Sequence, residues 1–152
     1  PQLMIADEPT TALEVPVQAQ ELSQKNALRK HNDTALLFIT HDFAVVSQIC
    51  DRVIVMYGGK IVESGATRTV IEQPQHPYTR MLMQCIPVLG EPDRDISAIP
   101  GQPPRLDAPT PGCAFAPRCP RSRERCSGDV PPLTESGTQR SVRCFYPLGD
   151  EA

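Results

Sequence analysis

Asp7 and Glu8 sit side by side at the end of a short apolar run, Leu3 to Ala6, and His41 directly follows a second run, "TALLFIT" at 34–40. Paired acids and an imidazole are the residue types of metal-assisted and general acid–base chemistry. An acid after a strand also caps helices, and a lone histidine is commonly structural, so neither motif decides a reaction alone. What makes them a candidate site is placement. If both runs are strands of an open parallel sheet, all three side chains stand beyond the carboxyl ends of those strands, where such sheets bind ligands.

A second group lies far along the chain. Cys113, Cys119, Cys126 and Cys144 are spaced C-x5-C-x6-C-x17-C. Four cysteines allow three disulfide pairings, but a reducing compartment disfavours all of them. Structural zinc usually shows close C-x2-C pairs, which are missing here, whereas a four-thiolate iron–sulfur cluster tolerates wider gaps. Spacing leaves a metal ion and a cluster both open. Arg118, Arg121, Arg123 and Arg125 flank Cys119 and Cys126, and guanidiniums would offset the negative charge of a four-thiolate centre. Read more plainly, they form a solvated basic loop. Without interleaved aromatics or a groove-reading helix they do not argue for nucleic acid. Cys50 and Cys85 fall outside the quartet and read as ordinary buried thiols.

The elements that must position these groups follow from patterning. Leu3–Ala6 and residues 34–40 read as strands buried on both faces. Residues 16–31, with Pro16 in the first turn and Lys25, Arg29 and Lys30 toward the end, read as the intervening helix. Strand, helix and strand make a βαβ unit with parallel strands. Asp42 reads as the N-cap of a helix over 43–50. "RVIVMY", "GG" and "KIVES" make an antiparallel hairpin. "ATRTVIEQ" (66–73) and "HPYTRMLMQCI" (76–86) read as short helices, the second with Pro77 at its first position. His76 to Thr79 is taken as a helix start without chemistry. From Pro87 to Gly112 extended linker is expected.

Composition divides the same way. Fourteen of the 17 prolines lie from Pro74 onward, as do the four clustered cysteines. A regular α/β half over 1–73 is therefore expected to precede an irregular, cysteine- and proline-rich half over 74–152. The 152 residues suit one domain, or a small domain with an extension. The net charge of -3 argues against nucleic acid as the main partner. No apolar run approaches the ~18 residues of a membrane span, and a cytoplasmic setting is expected.

"LMIADEPTTALEV" followed by "LLFITHDFAVVSQICDRVIVMYGGKIVESG" resembles the C-terminal part of an ABC-transporter ATPase: its Walker B strand, D-loop and switch-histidine loop, in order. "HPYTRMLM", "IPGQPPRL", "PGCAFAPRCPRSRERC" and "RCFYP" resemble the C-terminal extension of oligopeptide and dipeptide importer ATPases. The resemblance implies an α/β fold: the C-terminal part of a P-loop, RecA-like ABC ATPase core with parallel strands, then the extension. It implies that Asp7 helps hold the Mg²⁺ of Mg-ATP, that Glu8 polarises the attacking water and that His41 contacts the γ-phosphate. It makes Ala12, Leu13 and Glu14 the loop that meets a second ATPase subunit. The cysteine quartet it associates with a four-iron four-sulfur cluster, zinc being the alternative.

Further partners implied are two membrane-spanning permease subunits on the inner face of the cell membrane and, indirectly, a solute-binding protein, with no nucleic acid. Related ATPases serve peptides, nickel and some sugars. Glu14 stands where the family usually has aspartate, and Pro16 replaces a residue that is usually polar. No G-x-x-x-x-G-K-[ST] phosphate loop and no glycine-rich ABC motif occur among the 152 residues. In the family both precede the Walker B strand. The expectation is the C-terminal portion of a longer subunit, which alone exposes apolar sheet, associates and does not hydrolyse ATP. A non-enzymatic metal-binding module and a regulatory fragment that pairs with an intact ATPase are the alternatives.

Overall fold

The computed structural model describes residues 2–9, 34–86, 98–105, 107 and 110–149, in two compact units that divide between Cys50 and Asp51. The expected helix at 16–31 and the loop at Ala12, Leu13 and Glu14 lie outside the described residues.

In the first unit, β1 (Leu3–Asp7) pairs in parallel with β2 (Ala35–Ile39), running from Leu3 opposite Ala35 to Asp7 opposite Ile39. The parallel pairing is the one expected. Burial on both faces is not what the strands show. Leu3 and Ile5 are 52% and 62% exposed, and Leu37 and Ile39 are each 46% exposed. Successive side chains point to opposite faces, and only the face carrying Met4, Ala6, Leu36 and Phe38 is screened from solvent. The helix α1 (Phe43–Ile49) begins where Asp42 caps it. That carboxylate accepts from Ala44 N–H at 2.8 Å and Val45 N–H at 3.4 Å, while Val45 and Val46 are buried.

In the second unit, β3 (Arg52–Tyr57) and β4 (Lys60–Ala66) form the antiparallel hairpin. Its two-residue turn needs positive φ at both positions, which Gly58 (55°) and Gly59 (74°) supply. β4 also carries the first two short helices of this unit, α2 (Thr67–Glu72) and then α3 (Pro77–Gln84), both where the pattern placed them. A 3-10 turn (Ala116–Arg118) and α4 (Glu124–Gly128) follow. Two very short strands, β5 (Thr134–Glu135) and β6 (Ser141–Val142), complete a four-stranded sheet in the order β3-β4-β6-β5.

The sheet therefore crosses the compositional boundary near residue 73. The hairpin alone leaves β4 with an unpaired edge, and β6 fills it, with Glu63 opposite Val142 and Ser64 opposite Ser141. Glu63 is completely buried on that strand. It accepts the backbone N–H groups of Gln75 and His76, each at 2.9 Å, and pairs with Arg140 at 2.9 Å. Arg140 also donates to the Gln73 carbonyl, and Leu148 N–H to the Gln75 carbonyl at 2.8 Å. The turn before α3 is thus tied to β4, to the segment leading into β6 and to the end of the described chain. Around it pack Val55, Val62, Val70, Val142 and an aromatic trio, Tyr57, Tyr78 and Phe115, with ring centroids 4.5 to 5.3 Å apart.

Candidate functional site

Each unit carries its own group of candidate side chains. In the first, the parallel register carries the ends of β1 and β2 to one edge. Glu8 continues the ladder by donating its N–H to the Ile39 carbonyl at 2.8 Å, and at φ 44° its backbone is left-handed. That region is uncommon for a non-glycine residue. It turns the chain sharply at the strand end. Glu8 and His41, 33 positions apart, meet there: Oε1 lies 2.9 Å from Nδ1. His41 is largely exposed and Glu8 partly so. The hydrogen bond to Glu8, with its charge and more weakly that of Asp42, raises the His41 pKa above its ordinary value. Asp7 is exposed beside them at the last position of β1. The edge therefore presents two carboxylates and a proton-carrying imidazole to solvent, able to hold a cation, orient a water and contact an anion.

In the second unit, Cys113, Cys119, Cys126 and Cys144 all line one cavity of about 330 Å3, mouth included. Local geometry explains how such wide spacing converges. Cys113 N–H donates to the Cys126 carbonyl at 2.8 Å, which clamps the 113 loop to α4. Pro117 sits early in the 3-10 turn, at whose end Cys119 stands, and Cys144 follows two residues after β6. The thiols are pushed up by burial: Cys113 and Cys119 above the ordinary value, Cys144 to about 11. Backbone N–H groups oppose this, from Phe115 and Ala116 at Cys113, from Arg121 at Cys119 and from Tyr146 at Cys144, the last at 3.4 Å. Donors of that kind favour a charged sulfur.

Among the described residues no group of three or more His, Cys, Asp or Glu side chains is arranged to close on a metal ion. The four thiols share a cavity without gathering on one point. Four cysteines on one cavity are a donor set that thiolate-bound zinc and iron–sulfur centres both use. The remaining lining is mostly apolar, with Phe115, Pro131 and Phe145, and with Arg121 as its guanidinium.

The arginines separate into two roles. Arg123 stacks over Tyr146 at 4.1 Å and Arg125 over Phe145 at 4.0 Å, and both rings line the cavity. Arg118 belongs elsewhere. It donates to the carbonyls of Pro100 and Ile99 and to the Tyr57 hydroxyl, pinning the linker to the hairpin. Sequence proximity to Cys119 suggested a charge role that the fold does not give it. Cys50 and Cys85, expected as buried thiols, are only half-buried.

His76, expected only as part of a helix start without chemistry, is indeed the N-cap of α3 but has a second environment. It is 1% exposed and lines the cysteine cavity. Its Nδ1 accepts Tyr78 N–H at 3.1 Å and so caps α3, and burial lowers its pKa to about 4. The signal available was the pair His76-Pro77: a polar acceptor before a proline at the first helical position is an N-cap.

Residues 62–126 match the family described as oligopeptide/dipeptide transporter, C-terminal region. The chain is 50% identical over 148 residues to the probable D,D-dipeptide transport ATP-binding protein DdpD of Escherichia coli, covering 97% of this chain and 45% of that protein. It is 47% identical over 148 residues to the oligopeptide transport ATP-binding protein OppD of the same organism, covering 97% and 44%. To the oligopeptide transport ATP-binding protein AppD of Bacillus subtilis it is 48% identical over 146 residues, covering 95% and 44%. The chain thus spans a little under half the length of these relatives.

Proposed function

We propose, for a chain whose residues 62–126 match the oligopeptide/dipeptide transporter C-terminal region, that it is the C-terminal portion of an ATP-hydrolysing subunit that energises import of di- or oligopeptides. The observation that carries this reading is the 2.9 Å contact between Glu8 and His41 at the edge where β1 and β2 end together. Phosphoryl transfer asks mainly for positioning and charge neutralisation. Glu8 accepts a proton from the attacking water, and His41 steadies that carboxylate while its outer edge reaches the γ-phosphate. Asp7 takes up Mg²⁺, which when bound neutralises phosphate charge. The loop at Ala12, Leu13 and Glu14 meets a second ATPase subunit. Two membrane-spanning permease subunits couple the pair to transport on the cytoplasmic face, and a solute-binding protein supplies the peptide. No described helix is long and apolar enough to cross a membrane.

The test is made on the full-length subunit assembled with its permease partners. Glu8→Gln is expected to lower ATP turnover by about 10²-fold or more while nucleotide binding persists. Turnover at the parental rate would sink the assignment. The 152-residue chain by itself is expected to show no turnover, since it holds no phosphate loop.

For the extension we propose that Cys113, Cys119, Cys126 and Cys144 hold a four-iron four-sulfur cluster. Their shared cavity, the N–H groups aimed at three of the sulfurs and the guanidiniums stacked at its rim support it. Such a cluster, when bound, supplies one-electron redox capacity or a structural tie. Anaerobically purified protein is expected to carry iron and labile sulfide, both lost on Cys119→Ser. Stoichiometric zinc without iron would replace this reading by a zinc site.

A further inference from the structure

His76 has one ring nitrogen whose role is settled and one without a hydrogen-bond partner among the described residues. Nδ1 accepts the Tyr78 N–H, so it carries no proton, and the proton of the ring must sit on Nε2. That Nε2 is buried and without a hydrogen-bond partner. An orphaned buried donor forfeits its hydration without compensation, so a native ring held this way calls for an explanation. Among the described residues, Thr67 Oγ1, Thr79 Oγ1 and Arg140 Nε are buried without a partner too, but none of those residues lines the cysteine cavity, and His76 does.

The ring has no freedom to turn its donor elsewhere. Its backbone N–H is held by buried Glu63, its Nδ1 is committed to the α3 cap, and Phe115 packs 6.0 Å away between ring centroids. Apart from the Tyr146 hydroxyl, the side chains that share the cavity offer sulfur as their only acceptor. We propose that His76 is a hydrogen-bond donor, through Nε2–H, to a sulfur of the anionic group that the four cysteines hold. A protonated Nε2 has no lone pair for iron, so His76 acts as a positioning and tuning residue rather than a fifth ligand. Hydrogen bonds to cluster sulfurs favour the reduced, more negative state and raise the reduction potential.

The inference rests on the iron–sulfur reading above, and the test separates the two. Full-length protein is purified anaerobically and reduced, and its cluster is examined by paramagnetic resonance and redox titration. In the parent protein we expect an exchangeable-proton coupling and, with ¹⁵N-histidine, a weak nitrogen coupling. His76→Asn places an amide oxygen where Nδ1 stood, keeping the cap but removing the donor. Iron and sulfide are then expected to stay, the exchangeable coupling to vanish and the midpoint potential to fall. His76→Gln, whose amide nitrogen reaches the Nε2 position, is expected to keep the coupling. A parent cluster without histidine coupling, or His76→Asn with parental potential and coupling, overturns the donor role. Parent protein lacking iron and sulfide overturns the cluster reading, and the donor proposal with it.

Discussion

At the scale of single residues, Glu8 and His41 show how a contact creates a property that neither residue has alone. The hydrogen bond and charge of the carboxylate 2.9 Å away raise the imidazole pKa, and they outweigh the desolvation that opposes protonation. Below that raised value His41 is charged and the contact is an ion pair. As pH rises through it the proton leaves, and the attraction falls to that of a neutral hydrogen bond. A ring-proton NMR titration is expected to place His41 above the ordinary ~6.5 and to return it toward that value in Glu8→Gln. An unchanged titration in the variant would mean the two side chains do not meet in solution. Glu63 illustrates the buried counterpart. Two backbone N–H groups and Arg140 satisfy a carboxylate that has no access to water, so its placement on β4 fixes the turn that carries His76.

At the scale of elements, the cysteine cavity depends on one close approach. Gly112 lies against the backbone of α4, and a Cβ there would meet the Cys126 carbonyl oxygen and stand 2.7 Å from the Ser127 carbonyl carbon. Backbone cannot swing aside as a flexible side chain can. Gly112→Ala is therefore expected to break the clamp between Cys113 N–H and the Cys126 carbonyl, to destabilise the unit by about 1–3 kcal/mol and, under the proposed cluster reading, to lower iron content. Retained stability and metal content would show that the loop relaxes without cost. The same logic explains why the short strand β6 was not read from sequence. "SV" carries no periodicity, and it is strand only because the edge of β4 offers hydrogen bonds at that place.

At the scale of the chain, the first unit presents a two-stranded parallel sheet with Leu3, Ile5, Leu37 and Ile39 exposed. Two strands are marginal as a free-standing sheet, and an uncovered apolar face invites association. In the proposed reading the rest of the ATPase core would cover it. The 152-residue chain expressed alone is expected to self-associate in sedimentation velocity, and Leu37→Lys with Ile39→Lys to reduce that association. A monodisperse monomer at all concentrations would show that the face is tolerated.

Several features have a cause that lies in the sequence alone. The apolar runs ending at Asp7 and Ile39, the Asp42 cap, the glycine pair at 58–59 and Pro77 each carry a local cause of structure, and local causes can be read in order along the chain. The candidate acids and histidine were legible because parallel strands bring their ends to one edge. Other features had no local cause. The sharing of one cavity by four widely spaced cysteines, the transfer of Arg118 from the cysteines to the linker, and the orphaned Nε2 of His76 arise from contacts between residues distant in sequence. Such contacts are set by which edge is unpaired and which carboxylate is buried, and only the folded chain decides those.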